Sequence, residues 1–252
     1  MSVVPSIMSE ILKPSENPPW RITRQAIATN EDCICYDSDE GRLFKGRYPG
    51  SCLVTGLRED GHGVWMSDTP FEYEGVKKHV EKAHGNVLTS GLGLGLFVVL
   101  AMIKDNVEKV DIVEREQKVI DLVFSQISVI SGGKCEAICD DLYHFLETTD
   151  RQYDYIYLDI WPDHFGPIED VDKAVAAAQR CLSNDGQVGF WLQELVERVK
   201  DKIPTSPVEC TGLLCTDPCL VCGKTFRYDF AGLCMDCADM LRVSNLFIED
   251  GA

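Results

Sequence analysis

The segment Asn86-Val-Leu-Thr-Ser-Gly-Leu-Gly-Leu-Gly-Leu96 constrains this chain more than any other. An apolar run that breaks into alternate glycines and resumes as an apolar helix reads as a strand, a tight turn and a helix packed closely together. Bare backbone at such a turn also admits a ligand. About twenty residues further on, Asp111-Ile-Val-Glu114 ends a second apolar run with a carboxylate placed to accept two ribose hydroxyls. Two readings stay open at this point. Either Gly91, Gly93 and Gly95 only let a strand and a helix approach each other, or they build a nucleotide site.

From residue 86 onward the pattern alternates: strand 86–90, helix 94–105, strand 109–114, helix 116–130, strand 135–139, short helix 141–148, strand 154–160, helix 169–182 and strand 187–192. Such alternation predicts an α/β fold with a doubly wound, Rossmann-like, mostly parallel sheet, whose ligands bind outside the carboxyl ends of the strands. Carboxylates fall at three of those ends: Glu114, the pair Asp140 and Asp141, and Asp159. Upstream, short apolar alternations between turns predict a small antiparallel β region, and Tyr73 to Ala83 has helical spacing. Residues 1–30, with Pro14, Pro18 and Pro19, predict a leader with little regular structure. The expected division is a leader over 1–30, a β region over 31–75, a Rossmann-like cofactor-binding domain over 76–203 and a tail over 204–252.

At 252 residues the chain can bury one main core and carry a small appendage. No apolar stretch approaches the twenty or so residues that cross a bilayer, and the N-terminus lacks the basic-then-apolar pattern of a secretory signal, so the expectation is a cytoplasmic protein without a membrane partner. Net charge is −17, from 41 acidic against 24 basic residues, which disfavours nucleic acid and suits either a solvated acidic surface or a cationic substrate. Twelve cysteines include five between residues 215 and 237. Cys219-Leu-Val-Cys222 and Cys234-Met-Asp-Cys237 would deliver four thiolates to a tetrahedral Zn2+, predicting a C-terminal zinc knuckle. Four thiolates leave no coordination position for water, so the expected zinc is structural.

In their order along the chain, Gly91, Gly93, Gly95, Glu114, Asp140 and Asp159 resemble the class I S-adenosylmethionine-dependent methyltransferases. The run from Arg151 to Pro167, with Tyr153-Asp154, an apolar strand, Asp159 and Gly166-Pro167, looks most like their spermidine-synthase-like branch. So does Phe71-Glu-Tyr73. The resemblance implies that the glycines approach the amino-acid part of the cofactor, Glu114 binds the ribose hydroxyls and Asp140 accepts from the adenine amine. It implies further that Asp159 positions or deprotonates the attacking nucleophile, with Asp163 and Tyr73 beside it. Asp68 is a further rim residue for a cationic acceptor, and Trp65 or Trp161 an aromatic wall. The implied cofactor is S-adenosylmethionine or its decarboxylated form. NAD ranks lower, because the third glycine of a G-x-G-x-x-G loop is absent and Asp140-Asp141 would repel a pyrophosphate. The first expectation is a methyltransferase acting on a small or peptide-borne nucleophile. A polyamine aminopropyltransferase and a non-catalytic scaffold are the alternatives, and a homodimer is compatible with each. Leu94 departs from the synthase pattern, which has Asp there.

Overall fold

The computed structural model describes residues 3–28, 33–37, 42–46, 51–161, 168–191, 193 and 197. Its first elements are β1 (Val3–Pro5), α1 (Ile7–Ile11), β2 (Ser15–Asn17) and β3 (Trp20–Ala28). An antiparallel pair follows, β4 (Cys33–Asp37) with β5 (Arg42–Gly46), and then β6 (Ser51–Glu59) and β7 (Gly63–Ser67). β3 runs antiparallel along the whole of β6, from Trp20 opposite Glu59 to Ala28 opposite Ser51. β2 covers β3, while β1 and β7 pair with β6.

The expected leader of little regular structure is therefore corrected, since three strands and a helix lie before residue 29. Prolines did not prevent them because of where they fall. Pro14 precedes β2, and Pro18-Pro19, joined by a cis peptide, forms the turn between β2 and β3, where no ladder N–H is needed. α1 is capped by the Ser6 hydroxyl, which accepts from Ser9 N–H at 3.2 Å. Asp68 ties this segment down: its buried carboxylate accepts from Met8 N–H at 3.1 Å and from Thr55 N–H at 2.6 Å. Expected at the rim of an acceptor site, Asp68 is instead an anchor between the start of the chain and β6.

The second half alternates as the sequence predicts. After α2 (Pro70–Lys82) come β8 (Gly85–Ser90), α3 (Leu96–Met102) and β9 (Val107–Glu114). Residues 117–130 form a helical passage in which α4 (Gln117–Val119) and α5 (Ser125–Ile127) flank a π-helical turn. β10 (Cys135–Cys139), α6 (Leu142–Thr148), β11 (Tyr153–Leu158), α7 (Ile168–Gln179) and β12 (Leu182–Phe190) complete the described elements. The strands lie in the order β10-β9-β8-β11-β12, every pair parallel. This is the doubly wound order, and its reversal between β8 and β11 puts the switch point beside the glycine turn that follows β8. α2 starts three residues before the expected Tyr73, because Thr69 caps it and a proline is tolerated in its first turn.

A parallel sheet buried on both faces needs apolar residues on both, and alternation along β8 and β11 supplies them. Val87, Tyr155 and Tyr157 face a core shared with Phe97, Val123, Ile127 and the inward residues Trp20 and Ile22 of β3. Leu88, Ile156 and Leu158 face α6 and α7, meeting Leu146, Val171 and Ala174. Two polar clusters lock the sheet. On β9 the buried Asp111 carboxylate accepts from Arg151 Nη1 at 2.7 Å and Tyr153 Oη at 2.9 Å, with Lys109 Nζ 3.0 Å away. Asp154 accepts from Asn86 N–H at 2.8 Å and Ser183 Oγ at 2.7 Å, joining β11 to the strands on either side. The Tyr153-Asp154 pair thus holds the sheet together.

Candidate functional site

A cleft of about 290 Å³ opens at the carboxyl ends of the parallel strands, as a doubly wound sheet dictates. It brings together Gly91, Gly93, Glu114, Asp140 and Asp159. Gly95 and Tyr73 do not line it: Gly95 sits against Ile127 and Val123, and Tyr73 packs on the core. Asp163 and the cysteines Cys219, Cys222, Cys234 and Cys237 lie outside the described residues.

Each glycine of the turn has a cause within the protein. All three have positive φ, and a Cβ on Gly91 would lie 2.3 Å from the Asp159 carbonyl oxygen, on Gly93 2.2 Å from Met66 Sδ, and on Gly95 2.8 Å from Ile127 Cδ1. The turn's amides are largely engaged as well. Gly91 N–H donates to Val113 O at 2.9 Å, Leu92 N–H to Glu114 Oε2 at 2.8 Å, Leu94 N–H to Met66 Sδ at 3.3 Å and Gly95 N–H to Leu92 O at 2.7 Å. A dinucleotide loop points free amides at phosphate; four of these five donors have partners within the chain. Among the described residues the lining also holds six carboxyl side chains, from Glu72, Glu114, Glu116, Asp140, Asp141 and Asp159, against the one guanidinium of Arg115. Both features oppose a pyrophosphate and suit an uncharged or cationic nucleoside.

Glu114 is held in the cleft by two backbone amides. Its Oε2 accepts from Leu92 N–H and its Oε1 from Glu116 N–H at 2.9 Å, which fixes the carboxylate and leaves a lone pair on each oxygen for a hydroxyl. On the next strand outward, Asp140 N–H donates to Glu114 O at 3.2 Å. The Asp140 carboxylate accepts from Asp141 N–H at 2.8 Å and faces His144 Nδ1 at 2.9 Å, a contact that raises the His144 pKa above its ordinary value. Asp141 caps α6, accepting from Tyr143 and His144 N–H, so a turn preference accounts for this one of the strand-end carboxylates.

Asp159 closes the other side. Its N–H donates to Ser90 O at 3.2 Å, and burial pushes its carboxyl up to about 7. Glu72, in the first turn of α2, lines the same cleft. Burial, then the charges of Asp159 and Asp68, hold its carboxyl well above the usual range. Sequence reasoning missed Glu72. The signal was Thr69-x-x-Glu72, which has the spacing of a capping box, where the glutamate normally turns back onto the helix end. Tyr157 Oη, buried in the lining, has no hydrogen-bond partner among the described residues.

All four tryptophans of the chain line the cleft. Trp65 donates from Nε1 to Glu59 Oε2 at 2.8 Å, stacks on His62 at 4.4 Å and tilts against Trp20 at 5.7 Å. Trp161 meets Phe190 edge-on. Trp191 lies over Gly75, where a Cβ would come within 2.4 Å of its ring. Trp65 and Trp161 were legible as a wall; Trp20 and Trp191 were not.

No family profile matches the chain, and no curated protein matches it. Among solved structures it is similar to an S-adenosylmethionine-dependent methyltransferase from Clostridium acetobutylicum ATCC 824, at 17% identity over 47% of this chain and 47% of that one, with a TM-score of 0.37. It is also similar to the spermidine synthase from Thermotoga maritima, at 16% identity over 73% of this chain and 58% of that one, TM-score 0.43. A third is the N-methyltransferase NodS from Bradyrhizobium japonicum WM9 in complex with S-adenosyl-L-homocysteine, at 16% identity over 49% of this chain and 62% of that one, TM-score 0.41. The chain spans less than two thirds of each of these structures.

Proposed function

We propose that this protein is an S-adenosylmethionine-dependent transferase, with methyl transfer to a small or peptide-borne nucleophile as its first expected reaction. The observation that carries this is Glu114: a carboxylate fixed by two backbone amides, beside a glycine turn whose amides are engaged, in a cleft shared with Asp140 and Asp159. The donor set fits the cofactor. Glu114 accepts the two ribose hydroxyls and Asp140 the adenine amine. When bound, the cofactor supplies a methyl group made electrophilic by its sulfonium sulfur.

The chain's own residues then have two tasks, alignment and proton removal. Asp159, with a pKa of about 7, exists in both forms near neutrality and accepts the proton that an attacking amine or hydroxyl must lose. Glu72 beside it, its carboxyl held above the usual range, lines the same end of the cleft, and the tryptophan walls exclude water and favour a cation. The excess of carboxylates over guanidinium also supports a second reading, aminopropyl transfer from the more cationic decarboxylated cofactor. Mass analysis of products from either cofactor, with putrescine and with a library of small nucleophiles and peptides as acceptors, separates the two. A methyl increment is expected, an aminopropyl increment on putrescine establishes the second reading, and no increment on any acceptor contradicts transferase function.

Zinc belongs to the same proposal. It rests on the spacing of Cys219, Cys222, Cys234 and Cys237 alone. Native mass spectrometry is expected to show one zinc per chain, lost from Cys222→Ser. A full-length protein that is folded and zinc-free contradicts it.

A further inference from the structure

The cleft contains one element that belongs to neither a nucleoside nor an acceptor site: the side chain of Met66. It arrives from β7, and its thioether accepts from Leu94 N–H at 3.3 Å in the middle of the glycine turn. Its sulfur lies 2.2 Å from the position a Cβ on Gly93 would take, with Cγ at 3.5 Å and Cβ at 3.6 Å. In nucleotide-binding turns the second glycine leaves space for a ligand to approach the backbone. Here the protein's own methionine fills that space.

Strand order says which part of a ligand would meet it. Along the sheet edge, Asp140 follows β10, Glu114 ends β9, the glycine turn follows β8 and Asp159 follows β11. Neighbouring strands are spaced about 4.8 Å apart. With ribose on Glu114 and the base on the Asp140 side, the 5′ substituent runs over the glycine turn toward Asp159, and so into Met66. A tail entering there must displace the thioether and restore a partner to Leu94 N–H. An α-carboxylate on that tail would also lie on the side of Asp159 and Glu72.

Resting on the adenosyl reading above, we propose that Met66 is a specificity-determining residue that closes the amino-acid end of the cleft. Adenosine thioethers without an amino-acid tail bind more tightly than those with one. S-adenosylhomocysteine and 5′-methylthioadenosine form a suitable pair, since they share the nucleoside and an uncharged sulfur and differ in the tail. Isothermal titration of the full-length protein is expected to give the tighter binding for 5′-methylthioadenosine. In Met66→Ala the ratio of the two dissociation constants is expected to fall by about tenfold, because a side chain and its contact with a buried donor no longer have to be displaced. Met66→Leu, which keeps the bulk, retains most of the discrimination. In the unsubstituted protein labelled at methionine methyls, the Met66 resonance, assigned from its loss in Met66→Leu, moves on adding S-adenosylhomocysteine and stays in place with 5′-methylthioadenosine. If both ligands bind, an unchanged ratio in Met66→Ala, or equal movement of the methyl by both, overturns the role of Met66 and leaves the adenosyl site standing. Binding of neither ligand overturns the adenosyl reading and Met66 with it.

Discussion

Asp159→Asn is expected to lower the rate of group transfer by about 10²- to 10⁴-fold, the usual contribution of a positioned base. The same substitution should abolish the pH dependence that the carboxylate imposes. Burial raises the Asp159 pKa to about 7, so the basic form is lost as pH falls below 7. The unsubstituted protein should gain rate as pH rises through 7, and the variant should not. Stability should move the other way. A carboxyl whose folded pKa lies above its unfolded value penalises the fold fully above pH 7, and the penalty fades as pH falls toward the ordinary carboxylate pKa. The shift corresponds to about 4 kcal/mol in full burial, reduced to about 2 kcal/mol for a side chain that keeps some contact with water. Asp159→Asn is therefore expected to be more stable than the unsubstituted protein by about 2 kcal/mol at pH 8 and equal to it near pH 4. Urea denaturation at the two pH values measures this. A variant that is less stable at both would make Asp159 a structural residue.

Asp111→Ala is expected to cost about 3–5 kcal/mol, the largest loss of stability from any single side chain discussed above. The carboxylate is 2% exposed, and its removal strands the Tyr153 hydroxyl, which is equally buried. Arg151 and Lys109 lose less, being partly exposed and also paired with Glu136. Removing one partner of a buried polar pair leaves the other without hydrogen bonds, whereas replacing both by apolar groups of similar shape is far milder. Asp111→Leu combined with Tyr153→Phe should thus recover much of what Asp111→Ala loses, as measured by chemical denaturation. Equal losses in the single and double variants would show that the charge on Asp111, and not the stranded hydroxyl, sets the cost. None of these residues lines the cleft, so ligand binding by the folded fraction should be unchanged.

The parallel half of the molecule was legible because its signals are local and periodic. Four of the five strands end where apolar runs meet Gly, Asp or Glu, and Glu114, Asp140 and Asp159 reach one edge because parallel strands deliver their carboxyl ends to the same side; β12, which ends at Phe190, starts at Leu182, five residues before the expected strand 187–192. What escaped was non-local. The N-terminal residues look structureless alone, since their prolines are informative only once β6 is present to pair with β3. Asp68 has the composition of a turn residue, and only the approach of Met8 and Thr55 makes it a buried anchor. Glu72 was hidden behind a capping-box spacing, and Met66 inside the short apolar run of β7, where it reads as ordinary packing. The glycines themselves answer to packing within the chain as much as to any ligand. It is the fixed carboxylate of Glu114 beside them that points to a nucleoside.

Titration of the full-length protein with S-adenosylmethionine and its decarboxylated form, alongside Glu114→Ala, tests that point most directly. Saturable one-site binding of at least one of them is expected, weakened by about 10²-fold in the variant through loss of two charge-assisted hydrogen bonds to the ribose. Binding that is absent, or unaltered by Glu114→Ala, would contradict the assignment of this cleft to an adenosyl cofactor.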